Sequence, residues 1–166
     1  IRFPPLRTPR TGSVGCARRG GIHSKRTSSM GQEIVGLDTP VFVYFFQRNK
    51  EYFSRARNAL KAVEDGKVAG VFSAIGMIEL FTGLKKQGRH DLVLHYKAAL
   101  STFPNLTVVG GLNEKIVDLA SEFRARYGIS TPDAIHIATA INANAQKFIT
   151  NDKALRKIKE ISIELL

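Results

Sequence analysis

The stretch IVGLDTPVF at residues 34–42 decides the fold class, because it joins an apolar strand to the start of a helix. Residues 34–37 form a short apolar run without polar alternation, which is typical of a strand buried inside a parallel sheet. The run stops at Asp38. Thr39 is predicted to cap the helix that follows, and Pro40 falls in its first turn, where a missing N–H group costs nothing.

The same alternation of strand and helix continues along the rest of the chain. Further strands are predicted at residues 68–72, 106–109, 148–150 and 161–165. Helices are predicted at residues 52–63, 74–84, 89–103, 113–127 and 133–144, with a short basic helix at 153–159. Short strands that alternate with helices indicate crossover connections. We therefore predict a three-layer α/β/α sandwich with a parallel central sheet.

The basic residues are concentrated at the start of the chain. The 166 residues include 25 Lys and Arg against 14 Asp and Glu, and this net charge of +11 suits a polyanionic partner. Seven of these bases lie in residues 1–29, which have no acid, so the remainder has 18 bases and a net charge of +4. That segment also lacks helix or strand periodicity. We expect residues 1–30 to be an extension that does not pack and residues 31–166 to be one domain.

Three interpretations of the extension stay open. It is a translation start placed upstream of the true one or a cloning remnant, a disordered basic arm that touches nucleic acid, or a transit peptide with the usual Arg-rich, acid-poor composition. Met30 favours the first.

Cys16 is the only cysteine, so no intrachain disulfide and no thiolate metal site can form. The apolar stretches at residues 41–46 and 68–80 are too short to cross about 30 Å of hydrocarbon, and we expect a soluble, cytoplasmic protein without a membrane partner.

Four acidic residues are placed for a shared site. Asp38 follows the first strand directly, and Asp152 lies just beyond the strand at 148–150, where the crevice of an open parallel sheet lies. Asp133 lies in the first turn of a helix that would start at the same edge. Glu79 lies in mid-helix among apolar residues, where an acid needs a partner.

Four converging carboxylates would repel one another without a cation. At an effective dielectric near 20, like charges about 4 Å apart cost on the order of 4 kcal/mol per pair. Mg²⁺ or Mn²⁺ removes that cost, takes oxygen ligands and commonly bridges carboxylates to substrate phosphates. Such a site suits phosphodiester hydrolysis by an activated water. His136 lies one turn past Asp133, but we interpret it as a core or rim residue rather than a catalytic base.

Four fragments, in this order, resemble the PIN-domain family and especially its VapC-like toxins. They are GLDTPVF (36–42), VFSAIGMIEL (71–80), STPDAIHIATA (130–140) and FITND (148–152). By this resemblance, which covers about residues 34–166, the family's metal-binding acids are matched by Asp38, Glu79, Asp133 and Asp152. Thr150 matches its site-lining hydroxyl, and Ser73 is a candidate to support the ligands. Pro40 departs from the pattern, since the family usually has a small polar residue there.

The resemblance implies an activity and partners. The family is a metal-dependent ribonuclease with a parallel sheet between helices, and its toxin branch dimerises and is silenced by a cognate antitoxin. We therefore expect a Mg²⁺- or Mn²⁺-dependent endoribonuclease with an RNA substrate, an antitoxin partner and a homodimeric state. The basic residues Lys153, Arg156 and Lys157 form either a phosphate contact for RNA or a solvated face.

Simpler interpretations of the four acids stay open. Asp38 and Asp133 could cap helices and compensate helix dipoles, Asp152 could cap the helix that follows it, and Glu79 could pair with a lysine such as Lys85. Alternative functions are a housekeeping PIN nuclease without an antitoxin and a catalytically silent RNA-binding module. A phosphate-accepting receiver domain would need a Lys at a strand end and a phosphoacceptor Asp in the middle of the chain, but the middle strand here ends in Val109-Gly110-Gly111.

Overall fold

Five parallel strands form the central sheet of this computed structural model, which describes residues 31–166. The strands are β1 (Ile34–Leu37), β2 (Ala69–Ser73), β3 (Leu106–Val109), β4 (Lys147–Thr150) and β5 (Ser162–Leu165). Their order in the sheet is β3-β2-β1-β4-β5, so the chain winds outward from β1 to one edge and then returns to build the other half. The direction of winding reverses between β1 and β4. The predicted parallel sheet is confirmed, and the predicted extension lies outside the described residues.

Within residues 31–166, six α-helices and one 3₁₀ helix connect the strands. They are α1 (Thr39–Phe46), α2 (Phe53–Glu64), α3 (Ala74–Lys86), α4 (His90–Ser101), α5 (Glu114–Tyr127), α6 (Thr131–Asn142) and the 3₁₀ helix Lys153–Lys157. The α/β/α class is as predicted. The last basic helix is shorter than predicted, because the backbone becomes extended at Ile158. No helix in residues 31–166 is long and apolar enough to span a membrane.

The start of α1 differs from the prediction, because Asp38 rather than Thr39 is the N-cap. The backbone of Asp38 is extended, and its Oδ1 accepts the N–H of Thr39 at 2.8 Å. The helix α6 also begins earlier than predicted, since Ser130 caps it and Pro132 is tolerated in its first turn. Pro40 is accommodated in the same way at the start of α1. The Thr39 hydroxyl is therefore available for another partner.

Buried aromatic rings fill the space between the sheet and its helices. The largest fully buried side chains are the phenylalanines Phe42, Phe72, Phe123 and Phe148. The rings of Phe42 and Phe72 lie 4.3 Å apart between centroids, and they fasten α1 to β2. A second cluster joins α5 and α6 to β4, with Phe123, Ile137 and Phe148 among its members. Because these contacts hold α1 and α6 against the sheet, they fix where the residues at the starts of both helices lie.

Gly36 in the central strand leaves no room for a side chain, and Gly36→Ala should destabilise the domain. An added Cβ would lie 2.6 Å from both Ala140 Cβ and Phe148 Cδ2. Overpacking of this kind costs about 1–3 kcal/mol, so the melting temperature should fall by roughly 3–10 °C. Gly83→Ala in α3 is the control, because its Cβ would meet nothing within 4 Å and alanine favours a helix. Equal melting temperatures for Gly36→Ala and the parent chain would contradict this packing.

Candidate active site

The candidate site lies where the winding of the sheet reverses, at the carboxyl ends of β1 and β4. These strands are paired in parallel, and Asp38 follows β1 while Thr150 ends β4. The Asp38 N–H donates to the carbonyl of Ile149 at 2.9 Å. Thr150 Oγ1 donates to Asp38 Oδ2 at 2.5 Å, and Thr39 N–H donates to the other carboxylate oxygen. Asp38 is therefore held rigidly at the point where open parallel sheets bind ligands.

The Asp38 carboxylate is buried, and only 6% of the residue is exposed. Burial raises the pKa of this carboxyl, while hydrogen bonds from Thr150 and Thr39 oppose the rise. No Lys or Arg of residues 31–166 forms an ion pair with it. An ionised Asp38 therefore costs folding free energy, and a cation beside it would remove that cost.

Asp133 lies close enough to Asp38 for its charge to raise the Asp38 pKa further. It stands in the first turn of α6, where the helix dipole favours a negative charge. Ser130 Oγ donates to Asp133 Oδ2 at 2.6 Å and accepts the Asp133 N–H at 3.2 Å. The structure thus places two of the four predicted acids near enough for their charges to interact, and no hydrogen bond joins them.

Glu79 and Ser73 are joined by His136, which the sequence did not assign to the site. Glu79 Oε2 accepts hydrogen bonds from the Thr39 hydroxyl at 2.6 Å and from His136 Nε2, which lies 3.2 Å away. Ser73 Oγ lies 2.7 Å from His136 Nδ1. The hydrogen bond with His136 is the main reason why the pKa of Glu79 is lowered, although burial opposes it.

These contacts identify the partner of Glu79 and show where His136 lies. The partner of Glu79 is the buried His136, and not a lysine at the end of α3 as one alternative proposed. The sequence contained one indication that His136 is near the site. It lies three residues after Asp133, and this spacing places both side chains on one side of α6. His136 is a core residue, as predicted, but its ring contacts a candidate site residue.

Asp152 is less closely connected to the other acids. Its side chain caps the 3₁₀ helix, where Oδ1 accepts the N–H of Ala154 at 2.8 Å. Only its backbone reaches the cluster, because its N–H donates to Thr150 Oγ1 at 3.0 Å. The basic residues that follow are exposed and form no ion pair with another residue of the described domain: Lys153, Arg156 and Lys157. The capping interpretation thus accounts for the contacts of Asp152, and its role as a ligand stays a prediction.

The donor set suits a hard divalent cation, although a closed cage is not formed. Within residues 31–166, no three His, Cys, Asp or Glu side chains are arranged to enclose a metal ion. Mg²⁺ does not require such a cage, because it keeps several waters and is commonly held by one or two carboxylates together with substrate phosphates. The buried Asp38 beside Asp133, without a basic partner, fits an ion of this kind.

Solved structures share the fold. In the VapBC2 complex from Rickettsia felis, bound to promoter DNA, a chain aligns with a TM-score of 0.64 at 19% identity, covering 80% of this chain and 98% of that one. A toxin-antitoxin complex from Klebsiella pneumoniae gives 0.58 at 26% identity, with 78% and 95% covered. VapC20 from Mycobacterium tuberculosis, a toxin that cleaves the sarcin-ricin loop, gives 0.58 at 18% identity, with 78% and 99% covered. A search of the curated proteins finds no match.

The family comparison covers most of the chain. The PIN domain family model matches residues 35–161, a range that begins in β1, includes all four predicted acids and ends after the 3₁₀ helix. PIN domains are generally nucleases. Together with the parallel sheet and the acids at its switch point, this match shows that the chain belongs to the PIN-domain family.

Proposed function

We propose that this protein is a Mg²⁺- or Mn²⁺-dependent endoribonuclease and the toxin component of a toxin-antitoxin module. The observation that carries the proposal is the buried Asp38 carboxylate beside Asp133 at the switch point of the sheet, without a basic partner in the described domain. A stable protein retains such a pair of like charges at a cost, which a bound cation offsets. VapC20, which shares the fold, is described as a toxin that cleaves the sarcin-ricin loop.

Each residue of the proposed site has a distinct task. Asp38, Glu79 and Asp133 would hold the metal ion, and Asp152 would complete the set from the start of the 3₁₀ helix. A bound Mg²⁺ or Mn²⁺ lowers the pKa of a water molecule and neutralises charge that develops on the scissile phosphate. Thr150 fixes the orientation of Asp38 through its hydroxyl, which donates to Oδ2. The exposed bases of the 3₁₀ helix would contact neighbouring phosphates and contribute salt-dependent affinity for RNA.

Two exposed apolar surfaces are suited to bind other proteins. We propose that the partners are a cognate antitoxin and a second copy of the chain. The first is a groove of about 670 Å³ between α3 and α4, where Ile78 is 60% exposed and Leu94 is 74% exposed. The second lies around the start of α5, where Leu112 is 53% exposed and Val117 is 50% exposed. Contiguous apolar surface of this kind is a mark of interaction sites. The structural relatives from Rickettsia felis and Klebsiella pneumoniae are themselves toxin-antitoxin complexes.

Chelation tests the metal mechanism directly. The purified chain should cleave RNA in the presence of Mg²⁺ or Mn²⁺, stop when EDTA is added, and resume when Mn²⁺ is supplied in excess, because the ion supplies the activated water. Gel analysis of an end-labelled RNA measures the cleavage. Asp118→Asn is a suitable control, since this exposed acid in α5 lies outside the site and its variant should behave like the parent chain. Cleavage that survives chelation would rule out the proposed mechanism.

The genomic neighbourhood separates a toxin from a housekeeping nuclease. A small adjacent gene that encodes a DNA-binding antitoxin would support the toxin. Co-expression of its product with this chain should then yield a complex without ribonuclease activity. A chain that remains fully active in that complex would contradict the antitoxin relationship.

A further inference from the structure

We infer that His136 is a positioning residue for Glu79, and that Ser73 selects the ring nitrogen of His136 that carries the proton. The inference rests on the proposed function, because it takes Glu79 as a ligand of the metal ion. It gives a task to a buried polar ring that the proposed chemistry does not otherwise use.

The ring of His136 joins three parts of the chain. It projects from α6, its residue is only 3% exposed, and it lies between Ser73 at the end of β2 and Glu79 in α3. Ser73 Oγ lies 2.7 Å from Nδ1, and Glu79 Oε2 lies 3.2 Å from Nε2. A buried imidazole with a partner at each nitrogen cannot rotate without losing both hydrogen bonds.

The hydrogen-bond donors determine where the ring proton lies. An ionised carboxylate can only accept, so Nε2 of His136 has to donate to Glu79. Ser73 Oγ already accepts the N–H of Gly76 at 3.2 Å, and it can give its own hydrogen to Nδ1. A proton on Nδ1 would leave the Ser73 hydroxyl hydrogen without an acceptor among the hydrogen bonds of the described domain. All hydrogen bonds of the network are therefore made when the ring proton lies on Nε2 and Nδ1 accepts the Ser73 hydroxyl.

The two oxygens of the Glu79 carboxylate differ in their hydrogen bonds. Oε2 accepts both the His136 ring and the Thr39 hydroxyl, which lies 2.6 Å away. Oε1 has no hydrogen bond with any residue from 31 to 166, and the side chain is 40% exposed. The carboxylate is thus anchored through one oxygen and offers the other. Residues behind a ligand orient it in this way, and their loss typically costs about 10- to 100-fold in metal affinity or activity.

Two substitutions separate positioning from a merely structural role. His136→Leu removes the donor at Nε2, whereas the amide of His136→Gln can still donate near that place. Electron paramagnetic resonance of Mn²⁺ added to the full-length chain measures affinity, and thermal melts report the folded fraction. We expect His136→Leu to bind Mn²⁺ about 10- to 100-fold more weakly and His136→Gln to recover most of the affinity. Parent-like Mn²⁺ affinity in folded His136→Leu, or an equal loss in both variants, would overturn the inference.

The protonation state can be read in the metal-free parent chain, without any variant. Nitrogen-15 NMR at neutral pH should show His136 with a protonated Nε2 and an unprotonated Nδ1. A proton on Nδ1 would overturn the role of Ser73. Failure of the proposed function has a different signature, since the parent chain itself would then neither bind Mn²⁺ nor cleave RNA. Parent-like binding in His136→Leu beside an active parent would refute the positioning role alone.

Discussion

Asp38→Asn should lower RNA cleavage on the order of 10³-fold and at the same time raise the stability of the metal-free protein. The loss reflects the removal of a proposed metal ligand, because metal-assisted stabilisation of the transition state contributes several kcal/mol. The gain in stability arises because asparagine carries no charge, whereas the Asp38 carboxylate is buried beside Asp133. Asparagine can still accept the Thr39 N–H through Oδ1 and donate to Thr150 Oγ1 through Nδ2. The Thr150 hydroxyl hydrogen then loses its acceptor, so the gain in stability is the removed charge penalty less the cost of this hydrogen bond.

The pH dependence of this gain has a definite sign. Burial raises the folded-state pKa of Asp38 above its ordinary value of 3.8. Below that ordinary value both states are protonated, and the carboxyl costs the folded state nothing through its charge. As the pH rises toward and through the folded-state pKa, the metal-free parent chain loses stability relative to Asp38→Asn.

Thermal melts across this pH range, with and without Mg²⁺, test the prediction together with a cleavage assay. Added Mg²⁺ should stabilise the parent chain more than the variant, because a ligand that binds the native state raises its stability by mass action. Asp118→Asn again serves as the control. Unchanged melts together with intact cleavage would show that Asp38 only caps α1.

Asp152→Asn should also reduce cleavage by orders of magnitude, but it should leave the stability of the metal-free protein nearly unchanged. Asp152 is exposed and caps the 3₁₀ helix through Ala154, and asparagine is an equally good N-cap. The contrast with Asp38 is therefore in the melts and not in the activity. Asp152→Ala provides a second comparison, since loss of the cap should cost about 0.5–2 kcal/mol.

The same two measurements decide whether Asp152 belongs to the site. A cleavage rate in Asp152→Asn equal to that of the parent chain would leave Asp152 as a cap alone, and the proposed ligands would reduce to three. A lower rate with a smaller stabilisation by Mg²⁺ would support its role as a ligand.

Local sequence patterns were sufficient for the sheet and for the position of Asp38. The apolar run of β1 could only be a buried strand or helix segment, and its short length before a Thr-Pro helix start favoured the strand. The cap of α1 was predicted wrongly, because Asp and Thr are both good caps and the choice depends on tertiary partners. The Thr39 hydroxyl bonds to Glu79, which is 40 residues away. That contact is not visible in a local pattern.

His136 illustrates the same limit within the candidate site. Its spacing from Asp133 placed it on the correct side of α6, but its role depends on Ser73, which is 63 residues distant in the sequence. The looser attachment of Asp152 was also hidden, since an acid beyond a strand end can either point into a crevice or cap the next turn. Distinguishing the two requires side-chain positions, which long-range packing determines.

The pairing of β1 with β4 has a consequence for biosynthesis. The Asp38 carboxylate depends on Thr150, which lies 112 residues further along the chain. A nascent polypeptide that has not yet produced β4 therefore lacks the strand that completes the candidate site, however well its first half has folded. Under the proposed function, the chain therefore acquires its complete candidate site only late in its own synthesis, after β4 has been made.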